Sequence, residues 1–176
     1  MSDTPTPSGN GAPGATQNPN APSFIILAQY LKDLSFENPR APGVFQSAQT
    51  PNMDVGVDVN ARTMGENQYE VELSVSAKAR QGDDAMFIVE ASYAGAFEIK
   101  NIAADQLEGV MLVECPRLLF PFMRKIIADA TQNGNFPPLM LEPIDFMNIY
   151  LTNKQRQQQA ASAENGAAAS PADQSA

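Results

Sequence analysis

Histidine is missing from all 176 residues, tryptophan is absent as well, and cysteine occurs once. Without histidine, the Ser-His-Asp and Cys-His catalytic arrangements are excluded, along with the commonest protein ligand for zinc, copper and non-haem iron. A lone cysteine, Cys115, rules out intrachain disulfides and thiolate clusters and fits a reducing compartment. It stands beside Pro116 and near the apolar run 118–120, the setting of a packed core thiol rather than a nucleophile. Basic residues are scarce: 11 Lys+Arg face 20 Asp+Glu, a formal net charge of −9. A phosphate-binding groove needs clustered Lys and Arg, and the chain offers only Arg124-Lys125, with Lys154 and Arg156 further on. Nucleic acid is therefore not an expected partner, whereas an acidic surface attracts a basic one.

Long apolar runs are missing too. The strongest near the N-terminus, residues 24–27, is far shorter than the roughly 20 residues needed to span a bilayer. The first 22 residues show neither a basic n-region nor an apolar h-region. The expectation is a cytoplasmic protein with no stable membrane insertion. Chemistry-bearing motifs are equally absent: there is no G-x-x-x-x-G-K, G-x-G-x-x-G, HExxH, CxxC or EF-hand loop. Carboxylates alone could support glycosidase-type catalysis, but Asp54 and Asp58 read as solvated charges on one strand face. No catalytic residue, metal or cofactor is expected, and binding rather than catalysis is the indicated activity.

Composition divides the chain in three. Residues 1–22 carry five Pro and three Gly with no periodic apolar residues, and residues 157–176 are rich in Gln, Ala and Ser. Both segments read as disordered tails around a folded domain at 23–156. Most of the charge belongs to that domain, since 17 of the 20 acidic residues lie between positions 23 and 153.

The first half of the domain has period two. Residues 24–31 have the length and apolarity of a strand. Met53, Val55, Val57, Val59 and Ala61 share one face of a second strand, opposite Asp54, Asp58 and Asn60. Tyr69, Val71, Leu73, Val75, Ala77 and Ala79 repeat the pattern against Glu70, Glu72, Ser74, Ser76 and Lys78. Residues 86–89 and 97–99 supply more strand material, and the short Gly-bearing connections 63–68 and 81–84 suit hairpins. The second half changes period: Leu119, Phe122, Met123, Ile126, Ile127 and Ala130 follow an amphipathic helix. Pro121 is assigned to its first turn and Gly134 to its end. Pro143 opens a second helix through Ile144, Met147, Tyr150 and Leu151. The fold class is α+β: an antiparallel four-stranded, meander-like sheet followed by two amphipathic helices on one face.

Two connections carry more apolar residues than a loop requires. Residues 34–45 form an expected loop in which Pro39 and Pro42 prevent helix, yet Phe36, Val44 and Phe45 are apolar. Residues 136–143 are similar. Such loops are often functional, and these two are positioned to flank a groove for extended apolar polypeptide. The candidate groove residues are Phe36, Val44, Phe45, Phe146, Met147 and Tyr150.

Five co-linear segments then resemble one family, the bacterial protein-export chaperone SecB. KDLSFENPRAPGVFQ at 32–46 resembles the family's K-D-[IL]-S-F-E-x-P-x-A-P-x-V-F, and Tyr69-Glu70-Val71 its second-strand Y-E-V. Residues 85–90 are similar to its alanine–aromatic–aliphatic–x–glutamate strand. CPRLLFPFMR at 115–124 and FPPLMLEPIDF at 136–146 resemble C-P-x-[IL]-L-F-P-[YF]-x-R and F-P-x-L-x-L-x-P-[IV]-[ND]-F. Where the family often has Gly-Gly, this chain has Ala94-Gly95. The resemblance implies an ATP-independent holdase that keeps secretory precursor polypeptides unfolded and delivers them to the translocation ATPase SecA. It implies a homotetramer built as a dimer of dimers, and places SecA contacts at Asp33, Glu37, Ile88 and Glu90. Acidic residues suit that role because the family's partner site is basic and lies near a zinc-binding tail; the zinc belongs to the partner. Two readings of other classes stand beside it: a small α+β module closing over a hydrophobic ligand or lipid, and a carboxylate-only hydrolase.

Overall fold

The computed structural model describes residues 20–46 and 51–167, so the N-terminal segment 1–22 lies almost wholly outside the described residues. Four strands, β1 (Ser23–Glu37), β2 (Asn52–Gly65), β3 (Gln68–Gln81) and β4 (Asp84–Lys100), make one antiparallel sheet. They are followed by α1 (Ala104–Gly109), a π turn (Val110–Glu114), α2 (Cys115–Asn133) and α3 (Phe146–Ala167). The α+β class and the strands-then-helices order are as expected.

The strand order is β1-β4-β3-β2. Strands β2 to β4 form the expected meander, joined by two-residue turns at 66–67 and 82–83. Each turn carries one left-handed residue, Asn67 (φ 58°) and Gly82 (φ 61°). The first strand does not continue that meander. It pairs with β4, from Phe24 opposite Ile99 to Glu37 opposite Ile88, which gives a Greek key. The connection 38–51 is long enough to cross the sheet, so neighbours in sequence need not be neighbours in space. Both β1 and β2 are consequently edge strands.

Two corrections concern local structure. First, β1 runs on to Glu37, so Leu34, Ser35 and Phe36 are strand residues rather than loop. Pairing of Phe36 with Val89 holds them there, and Pro39 then ends the strand. A short 3₁₀ turn at Gly43–Gln46 follows. Second, Pro121 is not in a first turn. The helical stretch begins at Ala104, and Pro121 sits inside α2. Arg117, whose carbonyl loses its amide partner there, and Pro121 itself both face solvent, so water can take the orphaned bond. The π turn stands immediately ahead of Pro116, whose missing N–H disrupts the regular ladder.

The core lies between one face of the sheet and the helices. Val71, Leu73 and Val75 of β3 and Val89 and Phe97 of β4 pack with Leu119, Met123 and Ile127 of α2. The buried Thr131 hydroxyl lies 3.0 Å from the carbonyls of Ile127 and Ala128 and accepts the Leu139 amide at 2.9 Å, pinning the 136–145 connection to α2. The helix does end at Gly134, but the glycine is needed for space, since its φ is −76°. A Cβ there would lie 2.2 Å from Cζ of Phe36. The left-handed residue is Asn135, at φ 64°. The Asp145 carboxylate caps α3 by accepting the Asn148 amide at 3.0 Å. Only the first turns of α3 pack, through Phe146, Ile149 and Tyr150; residues 153–160 are exposed. The expected tail boundary at 156/157 falls within this helix, which runs to Ala167.

Candidate functional site

Two surfaces of different character emerge. The first is an apolar groove where the end of β1 meets the end of α2, lined by Leu34, Phe36 and Phe45 on one side and Ala130 and Gly134 on the other. An aromatic cluster shapes it. Phe136 lies 4.8 Å from Phe87 and 5.5 Å from Phe45 between ring centroids, and Phe36 stacks on Phe87 at 5.9 Å. Phe45 keeps 41% of its surface exposed, the arrangement of an anchor rather than a core ring. Burying such aromatic area against a partner yields about 25 cal/mol per Å².

The six candidate groove residues do not share one groove. Phe36 and Phe45 line it, while Val44 and Phe146 are buried in the core. Met147 is exposed, and Tyr150 lines a separate slot between α3, β2 and the π turn. There the Tyr150 hydroxyl donates to Glu108 at 3.0 Å and accepts from Lys154 at 2.9 Å. That contact fastens α3 to α1. On the opposite edge strand, β2, Met53 and Val55 are also exposed. Period two placed these two side chains on the helix-side face, but β2 is an edge strand and the helices do not reach them.

The second surface is the sheet's open face. Asp33 lies opposite Ser92, and Glu37 opposite Ile88, with the Ser35–Glu90 pair between them. A β-bulge at Lys32 makes this possible. Tyr30 points to the open face opposite Ala94, and strict alternation would send Asp33 to the helix side. The extra residue restores Asp33, Ser35 and Glu37 to the face that carries Ile88 and Glu90. All four residues carried across from the family motif thus sit together, from two strands distant in sequence. Asp33 and Glu90 border a shallow depression floored by Ser74, Ser76 and Ser92, with Asp58 on its far rim. The Ser74 and Ser92 hydroxyls are 2.9 Å apart.

Beside it lies a feature that sequence reasoning missed. Glu70 is on the open face yet only 3% exposed. Its carboxylate accepts from Arg62 of β2 and from the Tyr30 hydroxyl of β1, with the Lys32 ammonium at 3.5 Å. Arg62 first, and then Tyr30, hold its pKa down from 4.5 to about 2, against a smaller opposing effect of burial. Tyr30 must cross β4 to reach Glu70. The open-face residues of β4 at this point are Ala94 and Ala96, paired with Tyr30 and Glu70, and both are small enough to let the ring pass. Sequence alternation marks Glu70 only as a wet-face charge; nothing in it reveals the cross-sheet partners.

Among the described residues no cluster of three or more His, Cys, Asp and Glu could hold a metal ion, and no helix is long and apolar enough to cross a membrane. The buried Cys115 thiol is pushed up to about 12, by burial first and the neighbouring Glu114 charge second.

The family model described as preprotein translocase subunit SecB matches residues 17–158. The chain belongs to the SecB family. It is 50% identical over 152 residues to the protein-export protein SecB of Maricaulis maris, covering 85% of each chain. Against the protein-export protein SecB of Parvibaculum lavamentivorans it is 48% identical over 172 residues, or 97% of this chain and 99% of the relative. Among solved structures it resembles the SecB-like chaperone of Mycobacterium tuberculosis in complex with a ChAD peptide from the HigA1 antitoxin. That likeness has a TM-score of 0.58 and 18% identity, covers 69% of this chain and 90% of the other, and speaks for the fold. The chain is a protein-export chaperone; a module closing over a small ligand or lipid is not favoured.

Proposed function

We propose that this SecB-family chaperone works without nucleotide as a holdase. It captures extended apolar segments of unfolded precursors in the Phe36/Phe45 groove and hands them to SecA through the open face of the sheet. The observation that carries this reading is the separation of two surfaces on one domain. The apolar groove lies among aromatic rings at one end of the sheet, while Asp33, Glu37, Ile88 and Glu90 share the opposite, acidic face. Client and partner need not compete. A negative face also suits a basic docking segment, chiefly by raising the association rate and selecting the partner. No catalytic step and no cofactor enter, and the protein acts in the cytoplasm.

Self-association into a homotetramer, a dimer of dimers, belongs to the same reading. What supports it is apolar surface left uncovered on the single chain: Phe24, Ile25, Ile26 and Leu27 on the β1 edge, and Leu118 and Phe122 on α2. Several grooves on one assembly would raise the avidity for a long unfolded client. The test is suppression of refolding of a slow-folding precursor at one tetramer per client, without nucleotide. No retardation sinks the holdase reading. Asp33→Lys or Glu90→Lys should weaken SecA binding and its salt dependence while leaving client capture intact. If both activities fall together, these residues are structural rather than a docking site.

A further inference from the structure

Lys32 and Asp33 are consecutive residues, yet both stand on the open face of the sheet, and each borders a different depression there. Lys32 lines one with Arg62, Glu70 and Glu72, and Asp33 lines the other with Asp58 and Glu90. The bulge is the cause. Leu31 is paired with Tyr93 and Leu34 with Ala91, so residues 32 and 33 share the single partner Ser92. Both ends of this stretch are fixed by other contacts. The Tyr30 hydroxyl donates to Glu70 on one side, and on the other Phe36 stacks on Phe87 at 5.9 Å. One extra residue must therefore fit between them, but neither anchor decides whether Lys32 or Asp33 takes the place opposite Ser92.

The Lys32 ammonium has a reason to choose. It pairs with Glu72 and lies 3.5 Å from Glu70, and both carboxylates belong to β3, on the far side of β4. Glu72 is level with Ala94 and Tyr30, so the Lys32 side chain leans back along its strand, away from Ser92. Ala94 is small enough to let it cross. The Lys32 and Glu72 side chains are only 33% and 25% exposed, which spares the pair much of the screening by salt. Its competitors are Asp58 and Glu90, which would attract the same ammonium into the acidic depression. We infer that Glu72 is a positioning residue for the docking face: by holding Lys32 back, it gives Asp33 the place opposite Ser92 and keeps a cation out of the depression. The inference rests on the reading of this face as the SecA site and adds what keeps that site acidic.

The test compares the SecA affinity of the full-length protein and its variants at one ionic strength, alongside the cross-strand nuclear Overhauser contacts of Ser92. In Glu72→Gln the ammonium is released and the Ser92 contacts move from Asp33 to Lys32. SecA then binds about fivefold more weakly, the upper end for one ion pair near the surface, while client capture does not change. Adding Lys32→Gln to Glu72→Gln restores binding, because no ammonium remains to enter the depression. Adding Lys100→Gln instead gives the same net charge without restoring it, since Lys100 pairs with Glu98 at the far end of β4. Equal restoration by the two overturns the inference in favour of a general effect of charge, and so do Ser92 contacts that stay with Asp33 in Glu72→Gln. The single variant Lys32→Gln leaves Glu72 intact. SecA binds it at least as tightly as the unmodified protein, and weaker binding overturns the inference by making Lys32 itself a docking contact. If Asp33→Lys leaves SecA binding unchanged, the docking reading fails, whereas the Ser92 contacts still report whether Glu72 sets the place of Lys32.

Discussion

Replacing Glu70 with glutamine keeps the side chain's shape and removes its charge from a network that joins β1, β2 and β3. In the folded chain the carboxylate is 3% exposed and accepts from Arg62 and Tyr30, which bring its pKa from 4.5 to about 2. At about 1.36 kcal/mol per unit, the shift corresponds to about 3 kcal/mol of interaction. The Arg62 side chain is 68% exposed, so solvent screening reduces this to about 1–2 kcal/mol. Glutamine also presents an NH₂ where an acceptor is needed, which leaves Arg62 or Tyr30 without its bond. In urea unfolding at pH 7 and fixed protomer concentration, the midpoint of Glu70→Gln should fall by roughly 0.5–1 M. The pH dependence gives a sharper check. The folded pKa lies below the unfolded one, so the unfolded chain binds the extra proton. The contribution is complete above about pH 5 and drains away as pH falls through 4.5 towards 2. The gap between the two proteins should therefore close on acidification. Equal midpoints at pH 7, or a gap that persists unchanged near pH 2, would refute the assignment of Glu70 as a charged anchor.

Gly134→Ala places a methyl 2.2 Å from the Phe36 ring. The ring must move, and overpacking should cost about 1–3 kcal/mol by urea unfolding and weaken client capture in the same variant; unchanged capture would show that Phe36 does not shape the groove. Cys115, buried with its pKa pushed up to about 12, should react with a disulfide reagent at pH 8 only as fast as the chain opens. Its labelling rate should therefore rise with urea, and reaction of the native protein at the rate of a free thiol would contradict its placement. Tyr150→Phe removes the hydroxyl's hydrogen bond to Glu108 and leaves only the Lys154–Glu108 ion pair, at 3.6 Å, between α3 and α1 at this point. Amides of α3 should then exchange faster while those of the sheet do not change, whereas equal acceleration throughout would mean that the contact supports the whole fold.

The class of the protein was determined by sequence alone, because its evidence is local. Alternation at Tyr69 to Ala79 dictates a half-buried strand wherever that strand lies, and five motif blocks carry the family without any coordinates. The absence of histidine excludes whole chemistries in any fold. Reading boundaries locally was less successful. Phe36 is followed closely by Pro39 and Pro42, which read as a loop, yet it is held in β1 by a partner more than fifty residues away, Val89. Pro121 breaks isolated helices, but here the lost bond faces water and packing of Leu119 and Met123 keeps α2 intact. Register and face were decided only in three dimensions. Period two cannot reveal a bulge, and the single extra residue at Lys32 turns Asp33 and Glu37 towards Glu90. Nor can it tell an edge strand from a central one, which is why Met53 and Val55 are exposed while Val71 and Leu73 are buried. Glu70 reads as one more solvated charge until Tyr30 arrives from β1, a strand that sequence order does not place near it, to join Arg62 across the β2–β3 hairpin. Such pairings depend on which elements become neighbours, and that is settled by burial of the whole sheet rather than by any segment of it.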